Sequence, residues 1–183
     1  MERALEGGVK AVQLREKDLS GKDLFHLADK TRELCDRYQA QLFVNDRIDI
    51  ALAVDATGVQ LGKSSIPIET ARILLGPRKL IGYSAHSLEE ARVAQQHGTD
   101  FVLFGPVYFT PSKAQYGMPQ GFEALRKVVE KIEVPVYAIG GINSGSILDA
   151  RRTGARGVAL ISAIISANDP KGAAELMVKF LRG

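Results

Sequence analysis

Four short segments of the sequence share one pattern, and this repeat restricts the fold more than any other feature. In each segment a glycine ends a predicted helix, and an apolar strand begins within a few residues. The segments are residues 8–13, 57–61, 98–103 and 154–159. A glycine that closes a helix and leads into a strand, repeated along a chain, is typical of βα units. The repeat therefore predicts a parallel sheet whose strands alternate with helices.

The number and order of the predicted elements select among the parallel α/β folds. We count about seven strands and eight helices, and the first element is a helix. This order predicts a (β/α)8 TIM barrel that lacks its first β-strand. An open doubly wound sheet is the alternative, but no Gly-x-Gly-x-x-Gly turn follows the first strand. We expect one barrel domain over residues 1–183.

Composition and charge exclude several classes of protein. The 24 Lys and Arg residues are interspersed with 21 Asp and Glu residues, for a net charge of +3, so we expect no nucleic-acid partner. We expect no membrane partner either, because no apolar run approaches the roughly 18 residues of a membrane span. Cys35 is the single cysteine, which excludes a disulfide framework and predicts a reducing, cytoplasmic location.

Polar residues follow several of the predicted strands, at the carboxyl ends where ligands bind in α/β folds. They are Gln13 near the end of the first strand with Arg15 and Lys17 after it, Asn45 and Asp46 after the second, and Ser84 and His86 after the fourth. Taken singly, each group has an ordinary alternative, such as a solvated charge cluster or a helix cap. In a barrel, however, these strand ends converge on one mouth. Their occurrence together therefore favours a binding site.

Two further segments indicate sites for phosphate. The loop after the fifth strand carries two hydroxyls and one ammonium, on Thr110, Ser112 and Lys113. A lysine supplies charge to a phosphate and hydroxyls supply directional hydrogen bonds, although a solvated loop is the ordinary alternative. The last two strands lead into helices through Gly140–Gly141 and Ser162. Backbone N–H groups at these helix starts are predicted to hold a second phosphate.

Seven segments carry a resemblance to a known family. They run in family order and cover nearly the whole chain: residues 12–17, 45–51, 58–62, 81–87, 104–113, 138–142 and 160–164. They include the runs Val-Gln-Leu-Arg-Glu-Lys, Asn-Asp-Arg-Ile-Asp-Ile-Ala and Phe-Gly-Pro-Val-Tyr-Phe-Thr-Pro-Ser-Lys. As a set these motifs are specific. They resemble those of the thiamine phosphate synthase family and its thiazole tautomerase relatives.

The resemblance implies a Mg²⁺-dependent transferase of thiamine biosynthesis. Such an enzyme couples 4-amino-2-methyl-5-(diphosphooxymethyl)pyrimidine with a thiazole phosphate and releases diphosphate. By similarity, the pyrimidine diphosphate would be held by Gln13, Asn45, Ser84 and three catalytic cations, Arg15, Lys17 and Lys113. The thiazole phosphate would be held by Thr110, Ser112, Gly141, Ile161 and Ser162, and Mg²⁺ by Asp46. Cations stabilise the charge of a departing diphosphate, so this chemistry requires no nucleophilic side chain.

Departures from the family pattern leave other functions open. Ser65 stands where the synthases have a second Mg²⁺-binding aspartate, and Gln60 stands where they have a histidine. These changes weaken the metal site and resemble the tautomerase branch. Pro106, in contrast, stands where tautomerases carry their catalytic histidine. A thiazole tautomerase-like isomerase and a non-catalytic paralogue that binds a phosphate ligand are therefore the alternatives to a synthase.

The absent first strand has a consequence for assembly. Residues 10–14 and 157–161 become neighbours across a gap, and each has one unpaired backbone edge. Exposed apolar edges recruit another chain. We therefore expect self-association into a homo-oligomer, with two alternatives: the N-terminal helix folds over the gap, or the barrel stays open.

Overall fold

The computed structural model describes residues 1–109 and 118–182, and these follow the predicted alternation of strands and helices. The strands are β1 (Ala11–Leu14), β2 (Gln41–Asn45), β3 (Gly58–Leu61), β4 (Leu80–Ala85), β5 (Phe101–Phe104), β6 (Val136–Ile139) and β7 (Gly157–Ala159). The helices are α1 (Glu2–Glu6), α2 (Gly21–Arg37), α3 (Ile48–Ala53), α4 (Ile68–Leu75), α5 (Leu88–Gln96), α6 (Gly121–Lys131), α7 (Ile147–Arg152), α8 (Ser162–Ile165) and α9 (Pro170–Arg182). Helix α8 is missing from the sequence prediction, because four residues are too few to show helical periodicity.

The seven described strands are all parallel and pair in sequence order, from β1 at one edge to β7 at the other. Within the described ranges, no strand lies between these two edges. The predicted α/β barrel without its first strand is therefore confirmed. Two boundaries matter for the site: β2 continues to Asn45 and β4 continues to Ala85, so Asn45 and Ser84 lie within strands and not in the turns that follow them.

Side chains that point outward from the sheet form the core beneath the helices, since successive strand residues point to opposite faces. Those of β2, β3 and β4 cluster with side chains of α2, α3 and α4. Each of the following is at most 1% exposed: Leu42, Val44, Val59, Leu61 and Ile81. Cys35 of α2 lies in the same cluster, and burial raises the pKa of its thiol. No helix in the described ranges combines the length and the apolar composition needed to cross a bilayer.

Inward-pointing aromatic rings fill the lower part of the barrel. Phe101 contacts Phe43 and Tyr137 edge to face, with ring centroids 5.1 Å and 5.8 Å apart. Gly82 of β4 leaves room for them, because a Cβ at this position would lie 2.3 Å from Phe101 Cζ. These rings occupy the interior below the carboxyl ends of the strands.

Helix α1 packs on the outside of the fold, against α9, and not between β1 and β7. Ala4 is buried in one cluster with Ala174, while Leu5 belongs to the core beneath the first strands. The approach of the two helices is close, because a Cβ on Gly7 would lie 2.5 Å from Lys171 O. Helix α1 thus continues the helical layer past the gap, and the strand edges remain unpaired.

The direction of the ladder hydrogen bonds identifies the amides that face the gap. In a parallel strand, successive N–H groups point to opposite sides. Lys10 O accepts a hydrogen bond from Gln41 N, and Arg156 N donates to Val136 O on the other side of the gap. Counting onward from these two residues, the N–H groups that face the gap belong to Ala11, Gln13, Gly157 and Ala159.

We expect these four amides to exchange with solvent at rates typical of loops in a dilute monomer. At higher concentration they become protected, because self-association covers the open edges. Amide exchange followed by NMR at two concentrations measures this, with Val12 and Val158 as internal controls because their N–H groups point to the paired strands. Strong protection of the gap-facing amides in a strict monomer would contradict the prediction.

Candidate active site at the carboxyl ends of the strands

A row of hydrogen bonds across the ends of β1, β2 and β3 orients the carboxylate of Asp46. Gln13 Nε2 donates to Asn45 Oδ1 at 3.1 Å, and Asn45 Nδ2 donates to Asp46 Oδ2 at 2.6 Å. Ser65 Oγ donates to Asp46 Oδ1 and accepts from Gly62 N at 2.7 Å. Every donor in this row points toward Asp46. The sequence prediction named Gln13, Asn45 and Asp46, and the fold brings these three together.

The backbone around Asp46 turns the carboxylate toward the mouth. Asp46 has φ of 58°, a left-handed conformation that aspartate adopts more readily than most residues. Its N–H donates to Gln60 O at 3.1 Å, which ties the end of β2 to β3. Asp46 is exposed, so its carboxylate is accessible to a ligand in the mouth.

Gln60 and Ser84 form a second hydrogen-bonded pair inside the barrel. Gln60 lies in register with Asn45 on one side and with Gly82 on the other. Its side chain is only 2% exposed, and its Nε2 donates to Ser84 Oγ at 3.0 Å. Sequence reasoning placed Ser84 in the site but not Gln60. The sequence signal that could have identified Gln60 as a site residue is its departure from the family pattern, which has a histidine at this position.

Two cations near the mouth are available for an anion. Arg15 and Lys17 follow β1 and are exposed, and within residues 1–109 and 118–182 neither has a hydrogen-bonded or ion-paired partner. Arg47, in contrast, donates to both oxygens of Asp49, at 2.9 Å and 2.7 Å. These hydrogen bonds lower the pKa of the Asp49 carboxyl. Arg47 is therefore engaged locally, and Arg15 and Lys17 are better placed to bind a ligand.

The predicted backbone phosphate site occupies the ends of β6 and β7. Gly140 and Gly141 have φ of 94° and 68°, which favours glycine at both positions. Tyr108 N donates to Gly140 O at 3.0 Å, so the loop after β5 is held against this turn. Ile139 pairs with Ala159, which brings the two strand ends side by side.

Ile161 and Ser162 follow β7 and are exposed, and Ser162 begins α8. In the described part of the chain, the N–H groups of Gly141 and Ser162 donate no hydrogen bond. Unpaired amides at the start of a helical turn are suited to bind an anion.

His86 anchors the loop after β4. Its Nδ1 donates to Gly105 O, since a carbonyl oxygen only accepts. Its backbone N–H donates to Glu90 Oε2 at 2.7 Å. Pro106, which follows Gly105 in the chain, is buried, and the peptide bond between these two residues is cis. Through its contact with Gly105, His86 connects the ends of β4 and β5.

The remaining site predictions concern the loop after β5 and the metal. Thr110, Ser112 and Lys113 lie outside the described residues, so their roles stay predictions. Among the residues that are described, no group of three or more His, Cys, Asp and Glu side chains could hold a metal ion. Beside the Asp46 carboxylate, Ser65 contributes a hydroxyl.

Comparisons with known proteins agree on one family. The family model described as thiamine monophosphate synthase matches residues 1–164. A thiamine-phosphate synthase of Chlorobium phaeobacteroides is 44% identical over 98% of this chain and 87% of its own length. That of Clostridium novyi is 43% identical over 97% and 87%.

A solved structure, the thiamine phosphate pyrophosphorylase from Pyrococcus furiosus, superposes with a TM-score of 0.92 at 42% identity. The match covers 99% of this chain and 87% of that one. The crystal structure of 3-hexulose-6-phosphate synthase, with a TM-score of 0.70 at 20% identity, shares the fold. From the nearly full-length matches, the chain belongs to the thiamine monophosphate synthase family.

Proposed function

We propose that this chain joins 4-amino-2-methyl-5-(diphosphooxymethyl)pyrimidine to a thiazole phosphate, forming thiamine phosphate and releasing diphosphate. The observation that carries the proposal is the oriented Asp46 carboxylate, which accepts hydrogen bonds from Asn45 and Ser65 within a row of amide and hydroxyl groups at the mouth. This row provides hydrogen bonds for a polar heterocycle beside a charged group suited to a diphosphate and its metal. Family membership supports the same reaction.

The reaction replaces a carbon–oxygen bond with a carbon–nitrogen bond. The bond between the pyrimidine methylene and the diphosphate breaks, and the electron pair leaves with the diphosphate. The electron-rich aminopyrimidine carries the positive charge until the thiazole nitrogen forms the new bond. Charge therefore develops on the leaving group, where Arg15 and Lys17, together with Lys113, stabilise it. Positioning of the two substrates supplies much of the remaining rate enhancement.

Separate groups at the mouth hold the two substrates in this proposal. Gln13, Asn45 and Ser84 bind the pyrimidine, because their amide and hydroxyl groups match its ring nitrogens and amino group. The thiazole phosphate is held by hydroxyls and backbone amides, those of Thr110, Ser112, Gly141, Ile161 and Ser162.

The donor set at Asp46 fits Mg²⁺ that is shared with the substrate. Proteins commonly bind Mg²⁺ through one or two carboxylates, with substrate phosphates and water as the other ligands. Asp46 would hold the ion, with the Ser65 hydroxyl beside it. Bound there, Mg²⁺ would neutralise charge on the diphosphate. With only one carboxylate, we expect weak binding of the ion in the absence of diphosphate.

Introducing a second carboxylate tests this metal site. Ser65→Asp places like charges side by side, because Ser65 Oγ is in contact with Asp46. We expect a lower melting temperature without Mg²⁺, and a Mg²⁺ dissociation constant lowered by roughly tenfold, since added ligand charge tightens hard-cation sites. Thermal melting against Mg²⁺ concentration measures both effects without substrate.

Ser65→Asn is the matched control, because asparagine has the size of aspartate without its charge. It should show no gain in Mg²⁺ affinity. If the aspartate variant binds Mg²⁺ no better than the wild type or the asparagine variant, Asp46 does not belong to a metal site.

Turnover with both substrates and Mg²⁺ tests the proposed function itself. We expect thiamine phosphate and diphosphate in equal amounts, and no product when either substrate is omitted. Pro106 argues against an isomerase, because this buried residue has no titratable group at the position where tautomerases carry a histidine. Isomerisation of a thiazole phosphate carboxylate, with no coupling of the two substrates, would overturn the proposal.

A further inference from the structure

Gln60 is held in a single orientation inside the barrel. Its amide lies over Gly82, because a Cβ on that glycine would be 2.3 Å from Gln60 Oε1 and 2.3 Å from Phe101 Cζ. Its Nε2 donates to Ser84 Oγ at 3.0 Å, between neighbouring strands. The side chain is 2% exposed, so it has little freedom to turn away.

The direction of this hydrogen bond determines what Ser84 offers to a ligand. A serine hydroxyl has one proton to donate and two lone pairs that accept. The amide of Gln60 is a donor at Nε2, so it occupies a lone pair of Ser84 and leaves the hydroxyl proton available. Within the described residues, the Ser84 hydroxyl donates to no other group. Ser84 is thereby prepared to donate a hydrogen bond into the mouth.

We propose that Gln60 is a positioning residue that fixes the Ser84 hydroxyl as a hydrogen-bond donor to a ring nitrogen of the aminopyrimidine substrate. This inference rests on the proposed function for the identity of the substrate. Ring nitrogens of an aminopyrimidine are acceptors, so a serine held as a donor matches them. An amide does not titrate near neutral pH, and the donor direction therefore stays constant.

Gln60→Glu tests the direction of the hydrogen bond with almost no change of shape. An ionised carboxylate only accepts, so the Ser84 hydroxyl must turn toward Glu and away from the substrate. A protonated carboxyl can donate, as the amide does. We expect the dissociation constant for the pyrimidine diphosphate to be at least about tenfold above that of the wild type at pH 9. At pH 5.5 the ratio should fall to about threefold or less.

Isothermal calorimetry with the pyrimidine diphosphate and Mg²⁺ measures this ratio at each pH. The free diphosphate ligand is the same in both titrations, and Asp46 and His86 at the neighbouring strand ends are present in both proteins, so the variant is compared with the wild type as a ratio at each pH. Gln60→Met is the packing control, since it removes the donor without reversing the bond. The dissociation constant of this variant should be about threefold above that of the wild type, and this ratio should be the same at both pH values. Melting temperatures verify that both variants fold.

The outcomes separate this inference from the proposed function. The positioning role alone is overturned if the wild type turns over both substrates and the ratio of dissociation constants, Gln60→Glu to wild type, is the same at both pH values. Equal losses in the Glu and Met variants at pH 9 overturn it as well. A wild type that binds the pyrimidine diphosphate, with the expected pH-dependent ratio but no turnover, supports the inference and overturns the proposed function. Failure of the wild type to bind overturns both.

Discussion

Lys113→Ala should lower kcat/KM for the synthase reaction at least about 100-fold, with little change in the free energy of unfolding. Removing one preorganised group that stabilises transition-state charge typically lowers turnover by about 10²- to 10³-fold. In our proposal Lys113 stabilises the leaving diphosphate, and the largest part of that charge develops as the carbon–oxygen bond breaks. Steady-state kinetics with saturating Mg²⁺ measures the effect.

Lys10→Ala is the matched control for this experiment. Lys10 is an exposed lysine that precedes β1, so it lies at the end of the barrel opposite the mouth. Its replacement should leave kcat/KM within about twofold of the wild type, because isolated surface charges contribute little. An unchanged rate in Lys113→Ala, with the fold intact, would remove Lys113 from the site.

Gly105→Ala should destabilise the fold by about 3 kcal/mol, the upper end of the usual range for overpacking. A Cβ at this position would lie 2.0 Å from Ile139 O and 2.9 Å from its carbonyl carbon. These are backbone atoms of β6, which cannot move aside as the end of a side chain can. The ends of β5 and β6 must separate, and this weakens the hydrogen bond from Val107 N to Ile139 O, which spans 2.9 Å.

Urea denaturation measures this effect, with Gly62→Ala as the control. No heavy atom lies within 4 Å of a Cβ built on Gly62, and its φ is outside the left-handed region. That variant should change stability by about 0.5 kcal/mol or less. Equal stability of the two variants would show that β5 and β6 tolerate the added methyl group.

We also expect Gly105→Ala to weaken thiazole phosphate binding, because Val107 lies in the loop held against the glycine turn.

Local patterns in the sequence were sufficient for the order of elements and for much of the mouth. The repeated glycine before a strand marks four of the helix-to-strand joints, and this signal depends on neighbouring residues alone. Gln13, Asn45, Asp46 and Ser84 could be grouped in advance because parallel strands bring their carboxyl ends together. The lack of the first strand could be inferred by counting. Helix α8 could not, because a single turn has no periodicity.

The tertiary structure decided how these groups interact. Gln60 donates to a serine 24 residues away, and Ser65 donates to an aspartate 19 residues away. Which group donates depends on strand register and on the space that Gly82 leaves, neither of which is encoded by local periodicity. The packing of α1 against α9, with the strand edges left unpaired, is likewise a contact between distant parts of the chain. Local sequence thus determined which residues reach the mouth, whereas the register of the assembled sheet determined the hydrogen bonds that orient them.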